Sequence, residues 1–250
     1  MSDLQCPARV LVARHGEAMY ADPSLLSDEG GWLTDLGKDQ AGDLGQRLRD
    51  ERVAAVYTSR LARAQETGAI VGDRLGLTPS TVDGVQEFSV GSLAGKPALG
   101  PESREAFLAW ILGDLDRRWP GAETGTEVVA RFVEAVDALA DRHRGETVVV
   151  VSHGGVMTLA IPNTATNATS ELARRADVPN CGVAELDVDA DGWRLVGAWP
   201  GKGFELRDLD VGTPGAGDSS GSPRSIGAGP RGHATYRRES GERRGENFVG

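Results

Sequence analysis

An α/β fold is what this sequence predicts: a three-layer, mostly parallel sheet flanked by helices, with a small helical cap and a C-terminal β-hairpin. Three observations carry the expectation. Two apolar runs, at residues 10–13 (Val-Leu-Val-Ala) and 147–151 (Thr-Val-Val-Val-Val), have the continuous character of strands buried on both faces, and each ends close to a His-Gly pair. Between them, strand-like and helix-like patterns alternate, the order that builds parallel sheets. After them, residues 183–189 alternate apolar with acidic residues and lead through Asp191-Gly192 into 193–199, which reads as a hairpin closing one sheet edge.

The elements follow in order. The first strand spans 8–13 and hands over at Arg14 to a loop holding Asp22-Pro23 and Gly30-Gly31. Thr34 is placed to cap a helix whose shared face is Leu36, Gln40, Leu44 and Leu48. A strand at 53–57 follows, then a helix capped by Thr58-Ser59 that carries Arg60, Arg63, Ala64, Thr67, Ile70 and Val71 to about Leu75. A short strand at 81–82 precedes a loop at 87–95. From Pro101, a helix with Phe107, Leu108, Ile111, Leu112 and Leu115 on one side reads as the cap. Thr124 and Glu127 fit a capping box, and Val129, Phe132, Val133, Val136 and Leu139 form the stripe of the helix it starts. Residues 163–179 carry little pattern.

Two units are expected: a catalytic domain at 1–211, with its cap at about 88–122, and a disordered tail at 212–250. The tail is rich in Gly, Ser, Pro and Arg and has almost no aliphatic residues to bury. With 27 Lys and Arg against 37 Asp and Glu, the formal charge is −10, which disfavours a nucleic-acid partner. Cys6 and Cys181 have no paired spacing, so neither a disulfide framework nor a zinc site is indicated. No apolar run approaches membrane-spanning length, and a cytoplasmic location is expected. The edge hairpin offers one place for a homodimer contact.

The polar residues at the strand ends point to phosphoryl transfer. That chemistry needs a nucleophile, cations on the non-bridging oxygens and an acid for the leaving oxygen. A neutral imidazole is competent near pH 7, and neighbouring arginines keep it neutral; His15 is the candidate. Arginine's planar fork matches phosphate oxygens, each charge-assisted hydrogen bond contributing roughly 1.5–3 kcal/mol. Arg14 and Arg63 are best placed, while Arg60 reads equally well as a surface residue. His153 would hold a third phosphate edge, and the amides at Gly154 and Gly155 form an anion site where a helix or turn opens. Glu87, taken alone, reads as an exposed loop carboxylate. His143 sits at a helix C-terminus and His233 in the tail, and neither attracts a catalytic role. Trp110 and Trp119 read as cap packing; Tyr20 and Trp32 flank the pocket loop, with lining it as the alternative to the core packing expected of them.

Four segments taken in order resemble the histidine phosphatase superfamily, the phosphoglycerate mutase-like group. They are Arg14-His15-Gly16-Glu17, the run from Thr58 to Thr67, the loop from Glu87 to Gly95, and Val151-Ser152-His153-Gly154-Gly155; the likeness takes in Leu33 to Gly37 with Gln40-Ala41 and covers about the first two hundred residues. The resemblance implies that His15 is the phosphorylated nucleophile, that Arg14, Arg63 and His153 complete the phosphate pocket, and that Glu87 donates the proton. It also implies no metal and no cofactor for the step. Ala18 and Ala21 stand where many relatives carry a hydroxyl residue and an asparagine, and residues 96–120 lack the mutase subgroup's longer basic and aromatic segment. Hydrolysis of a small phosphorylated substrate is therefore expected over mutase-type transfer; a non-catalytic phospho-ligand binding module is the rival from another class. A cysteine phosphatase fails on spacing, because Val12 and Asp187 occupy the places where it needs an arginine.

Overall fold

The computed structural model describes residues 6–28, 31–98, 100–168, 176–198 and 205–206. The chain divides into two units, Met1–Leu209 and Asp210–Gly250. The tail expected from residue 212 lies outside the described residues.

The central sheet has six strands in the order β5-β4-β6-β1-β8-β9. These are β1 (Ala8–Arg14), β4 (Val53–Thr58), β5 (Ser80–Thr81), β6 (Thr147–Ser152), β8 (Val183–Asp189) and β9 (Gly192–Ala198). The first four pair in parallel, and β8 and β9 close the other side antiparallel as the expected hairpin. Two further pairs are short: β2 (Ala18–Met19) with β3 (Trp32–Leu33), and β7 (Ala176–Asp177) with β10 (Glu205–Leu206). Strand β1 is central in the sheet and has a packed core on each side, which is why its residues are apolar on both faces.

Alternate residues of β1 feed two cores. Val10 and Val12 join the cluster beneath α4 (Gly125–Arg142) and α5 (Gly154–Thr164); Leu11 and Ala13 join the one beneath α1 (Asp35–Arg47) and α2 (Ala62–Leu75). Thr34 caps α1 by accepting from the Gly37 amide, and Thr124 with Glu127 forms the full capping box of α4. Helix α5 is buried almost throughout, from Val156 to Pro162, so it has no polar face and no periodicity to read. The cap helix α3 (Pro101–Ile111) carries Trp110 inward, stacked on Trp119 with ring centroids 4.9 Å apart and set edge-on to Phe88 at 5.1 Å. Both tryptophans are therefore cap packing, as expected.

Several local expectations change. The inward face of α1 is Gly37, Ala41, Leu44 and Gly45, with Leu48 buried just past its end, while Leu36 is 55% exposed. Glycines choose that face: a Cβ on Gly45 would stand 2.8 Å from the Arg74 side chain of α2, so the helices meet where side chains are absent. Thr58 and Ser59 do not cap α2, which begins at Ala62 behind Leu61. Helix α3 stops at Ile111, leaving Leu112 exposed and Leu115 in the following turn. Tyr20 and Trp32 are not core residues: Tyr20 borders a cleft, as the alternative had it, and Trp32, paired with exposed Met19 in a two-residue strand, is 63% exposed.

Candidate active site

Register brings the two histidines together. The parallel pairing of β1 with β6 sets Arg14 beside Ser152, so His15 and His153 emerge next to each other at the same sheet end, ring centroids 5.1 Å apart. This is the carboxyl end of the parallel strands, where open α/β sheets bind ligands. A cleft of 1220 Å³ opens above it, bordered by Arg14, His15, Arg63, Glu87, Gly154 and Gly155 among others. His153 is fully buried beneath the cleft floor, beside His15, and does not itself border the cleft.

His15 is held in one tautomer. Its Nδ1 lies 2.6 Å from the Gly16 carbonyl oxygen, which can only accept, so the proton sits on Nδ1 and Nε2 keeps its lone pair. Arg63 Nε donates to that Nε2 at 3.0 Å. Burial, reinforced by the Arg63 charge, pulls the His15 pKa down to about 3; the Gly16 carbonyl works against the shift and Arg14 adds to it. The imidazole is neutral at neutral pH. The turn carrying it is tight: a Cβ on Gly16 would stand 2.4 Å from the Gly37 carbonyl oxygen, so the first turn of α1 presses directly on this backbone.

Three buried donor-type atoms around His15 have no hydrogen-bond partner among the described residues: Arg14 Nε, Arg63 Nη1 and His153 Nδ1. Buried polar groups are otherwise satisfied in folded proteins, so such a cluster marks a ligand-binding position, and two guanidinium groups specify an anion. Arg14 is steered by its Nη1, which donates to the Val178 carbonyl at 2.7 Å, and by the missing Cβ of Gly154, which would stand 3.1 Å from Arg14 Nε. Gly154 thus makes room for the arginine. His153 Nε2 lies 2.6 Å from Ser59 Oγ, and burial, followed by the charges of its neighbours, pushes its pKa well below the usual histidine range. Arg60 precedes α2, is 63% exposed and reaches Asp83 at 3.9 Å, so it is a rim residue.

Glu87 is not an exposed loop carboxylate. Its Oε2 accepts from the Gly155 amide at 2.9 Å and its Oε1 from the Val156 amide at 2.7 Å, so the anion site foreseen at the start of α5 holds a side chain of the protein itself. Desolvation nonetheless raises the carboxyl's pKa above the usual range, against the opposing pull of those amides and of Arg63. Gly155 is required here: a Cβ would stand 2.8 Å from Glu87 Oε1 and 2.6 Å from the Phe88 ring. Gly155→Ala is expected to displace the carboxylate and lower kcat on the order of 10²-fold. Some loss of thermal stability should accompany it, since the clash also falls on the Phe88 ring packed against Trp110. A fall in kcat below fivefold would refute the clamp.

Sequence reasoning missed the supports of this site. Asn180 donates to the His15 carbonyl at 3.0 Å, and the Cys181 amide donates to the Arg14 carbonyl at 3.1 Å. Arg131 on α4 donates to the Gly84 and Gln86 carbonyls at 2.6 and 2.8 Å, and Ser152 Oγ donates to the Val85 carbonyl at 2.7 Å, fixing the segment that leads into Glu87. Each is a side chain or amide meeting a distant carbonyl, which leaves no local pattern. Ser59 and Ser152 lay inside quoted motifs.

Comparison with known proteins agrees with this geometry. Residues 10–199 match the family described as histidine phosphatase superfamily, branch 1. A probable phosphoglycerate mutase from Yersinia pestis is 28% identical over 194 residues, covering 76% of this chain and 89% of the relative. Among solved structures, a mycobacterial glucosyl-3-phosphoglycerate phosphatase superposes with a TM-score of 0.62 at 25% identity, covering 76% of this chain and 97% of that one. A Bacillus stearothermophilus protein, YhfR, gives 0.60 at 25% identity, with 80% and 95% coverage. No helix among the described residues is long and apolar enough to cross a membrane. The neutral imidazole, the two guanidinium groups around it and the match over most of the domain lead to one conclusion: the chain belongs to the histidine phosphatase superfamily.

Proposed function

We propose that the protein is a phosphomonoester hydrolase that works through a phosphohistidine on His15. The observation that carries this reading is the His15 tautomer: Nδ1 is tied to the Gly16 carbonyl and Nε2, neutral, faces the cleft between two arginines. Arg14, Arg63 and His153 supply donors to the non-bridging phosphoryl oxygens, Arg63 shifting its donation from His15 Nε2 to the phosphoryl group. Gly154 provides the space in which Arg14 does so.

In the first step His15 Nε2 attacks phosphorus, the bond from phosphorus to the ester oxygen breaks, and protonated Glu87 gives its proton to the leaving alcohol. In the second, water attacks the phosphorus of the phosphohistidine, Glu87 takes the water's proton, and inorganic phosphate leaves with the Nε2 lone pair restored. Protons balance over the cycle. The residues named carry the reaction without a metal or cofactor.

The likeness to a probable phosphoglycerate mutase supports one second reading, transfer of the phosphoryl group to another acceptor. Rapid quench of the protein during turnover of an aryl phosphate in chelator, followed by mass spectrometry, separates these. An acid-labile phosphoryl group on His15 with stoichiometric phosphate release is expected. Its absence from His15 would refute the covalent route. Conversion of added 3-phosphoglycerate to a bisphosphate would establish transfer instead.

A further inference from the structure

We propose that the cleft selects phosphomonoesters whose alcohol is bulky and apolar, an aryl group or a long alkyl chain, over compact polar ones such as a phosphorylated hydroxy acid. The inference rests on the hydrolase reading and concerns what lies beyond the phosphoryl group.

The cleft's 1220 Å³ exceeds the 300–1,000 Å³ of ordinary small-molecule sites, while Arg14, His15 and Arg63 occupy only its floor. A three-carbon substrate would leave most of it filled with water.

Leu25 and Leu26 border the cleft from the loop after β2, and Phe88, Phe107, Leu108 and Ile111 border it from the cap. Helix α3 has two apolar faces: Trp110 is buried at 1% exposure in the core, whereas Phe107, Leu108 and Ile111 stay half-buried, turned toward the cleft. Apolar surface kept in contact with water is recovered when an apolar ligand covers it.

The charges point the same way. Asp28 accepts from Ser89 Oγ at 2.8 Å and the Val90 amide at 2.6 Å, Glu123 pairs with Arg131 at 2.6 Å, and Glu127 caps α4. These carboxylates are committed within the protein. Beyond the floor, the arginines bordering the cleft are Arg60 and Arg104, both exposed at the rim, and Arg60 is turned to Asp83. Among the described residues bordering the cleft, no buried cation comparable to Arg63 awaits a second anionic group.

The wall is also preformed. The loop and the cap are laced together by Leu26 N to Lys96 O at 2.9 Å, Gly95 N to Leu26 O at 2.9 Å and Ala98 N to Ser24 O at 2.8 Å. A rigid apolar surface rewards each buried methylene with about fourfold in affinity.

The experiment compares kcat/KM for ethyl, butyl, hexyl and 1-naphthyl phosphates with 3-phosphoglycerate. In parallel, calorimetry measures binding of ethyl- and hexylphosphonate, which cannot be hydrolysed, to the same protein. The expected result is a rise of at least roughly tenfold from ethyl to hexyl in both series, with 3-phosphoglycerate no better than ethyl phosphate. Ile111→Glu should lower the hexyl-to-ethyl ratio. A flat chain-length series, or preference for 3-phosphoglycerate, overturns the inference while the hydrolase reading stands. Tight hexylphosphonate binding with no turnover of any ester overturns the hydrolase reading and leaves the cleft's preference standing. Failure of hexylphosphonate to bind more tightly than ethylphosphonate overturns the preference directly.

Discussion

His15→Ala is expected to lower kcat for an aryl phosphate by at least ~10⁴-fold, leaving the background that the arginines supply by positioning alone. The reason is specific to this site. Water cannot inherit the role of Nε2, because the imidazole is rigidly aimed by the Gly16 carbonyl and the backbone beneath it is pinned by Asn180 and Gly37. The substitution should not unfold the domain. His15 is buried and neutral, so its removal deletes packing and the acceptor of Arg63 Nε but takes away no charge. Its depressed pKa also means that the folded state resists protonation between about pH 6.5 and 3, so acid destabilises the wild type through this residue as pH falls through that window. Thermal unfolding at pH 5 should show the variant losing less stability than the wild type relative to pH 7. A variant retaining more than a hundredth of wild-type kcat would refute the nucleophile assignment.

Glu87→Gln is expected to lower kcat by about 10²–10⁴-fold, and by unequal factors for different substrates. A nitrophenyl leaving group departs as a stable anion and needs little protonation, so its loss should sit at the low end; an alkyl phosphate should sit at the high end. A residue that only supported the fold would slow both alike. The pH profile supplies a second signature. Desolvation raises the Glu87 pKa, so the acid form persists above the usual carboxylate range and is lost as pH rises through the shifted value. The wild type should therefore lose rate on the alkaline side, and the variant should lack that limb. An alkaline limb unchanged in the variant would assign it to another group.

How much of this could be read from the sequence depended on whether each residue's partner lay nearby in the chain. His15 and His153 were legible because each closes an apolar strand and precedes glycine, and strand pairing did the rest. Arg63 was legible from its place in the first turn of a helix. Glu87 was not: its residue type and loop context gave no hint that the start of α5 would hold it, and only the family resemblance singled it out. Leu36 misled because helical spacing alone cannot tell which face a neighbouring helix will cover; Gly45 and Arg74 decided that. Asn180, Val178 and Arg131 were invisible, since each meets a carbonyl or guanidinium far away in sequence.

One feature sets this site apart from the phosphate cradles that glycine-rich loops provide. There the grip is made of peptide N–H groups, which no side-chain replacement removes. Here Glu87 occupies the Gly155 and Val156 amides, so under the proposed hydrolase function the substrate's grip falls to side chains. Such a grip is heritable one residue at a time: exchanging Arg14 or Arg63 would cancel it while the sheet and both cores persisted. The scaffold can therefore outlive its chemistry, and an intact fold in a relative says nothing about activity until those two positions have been read.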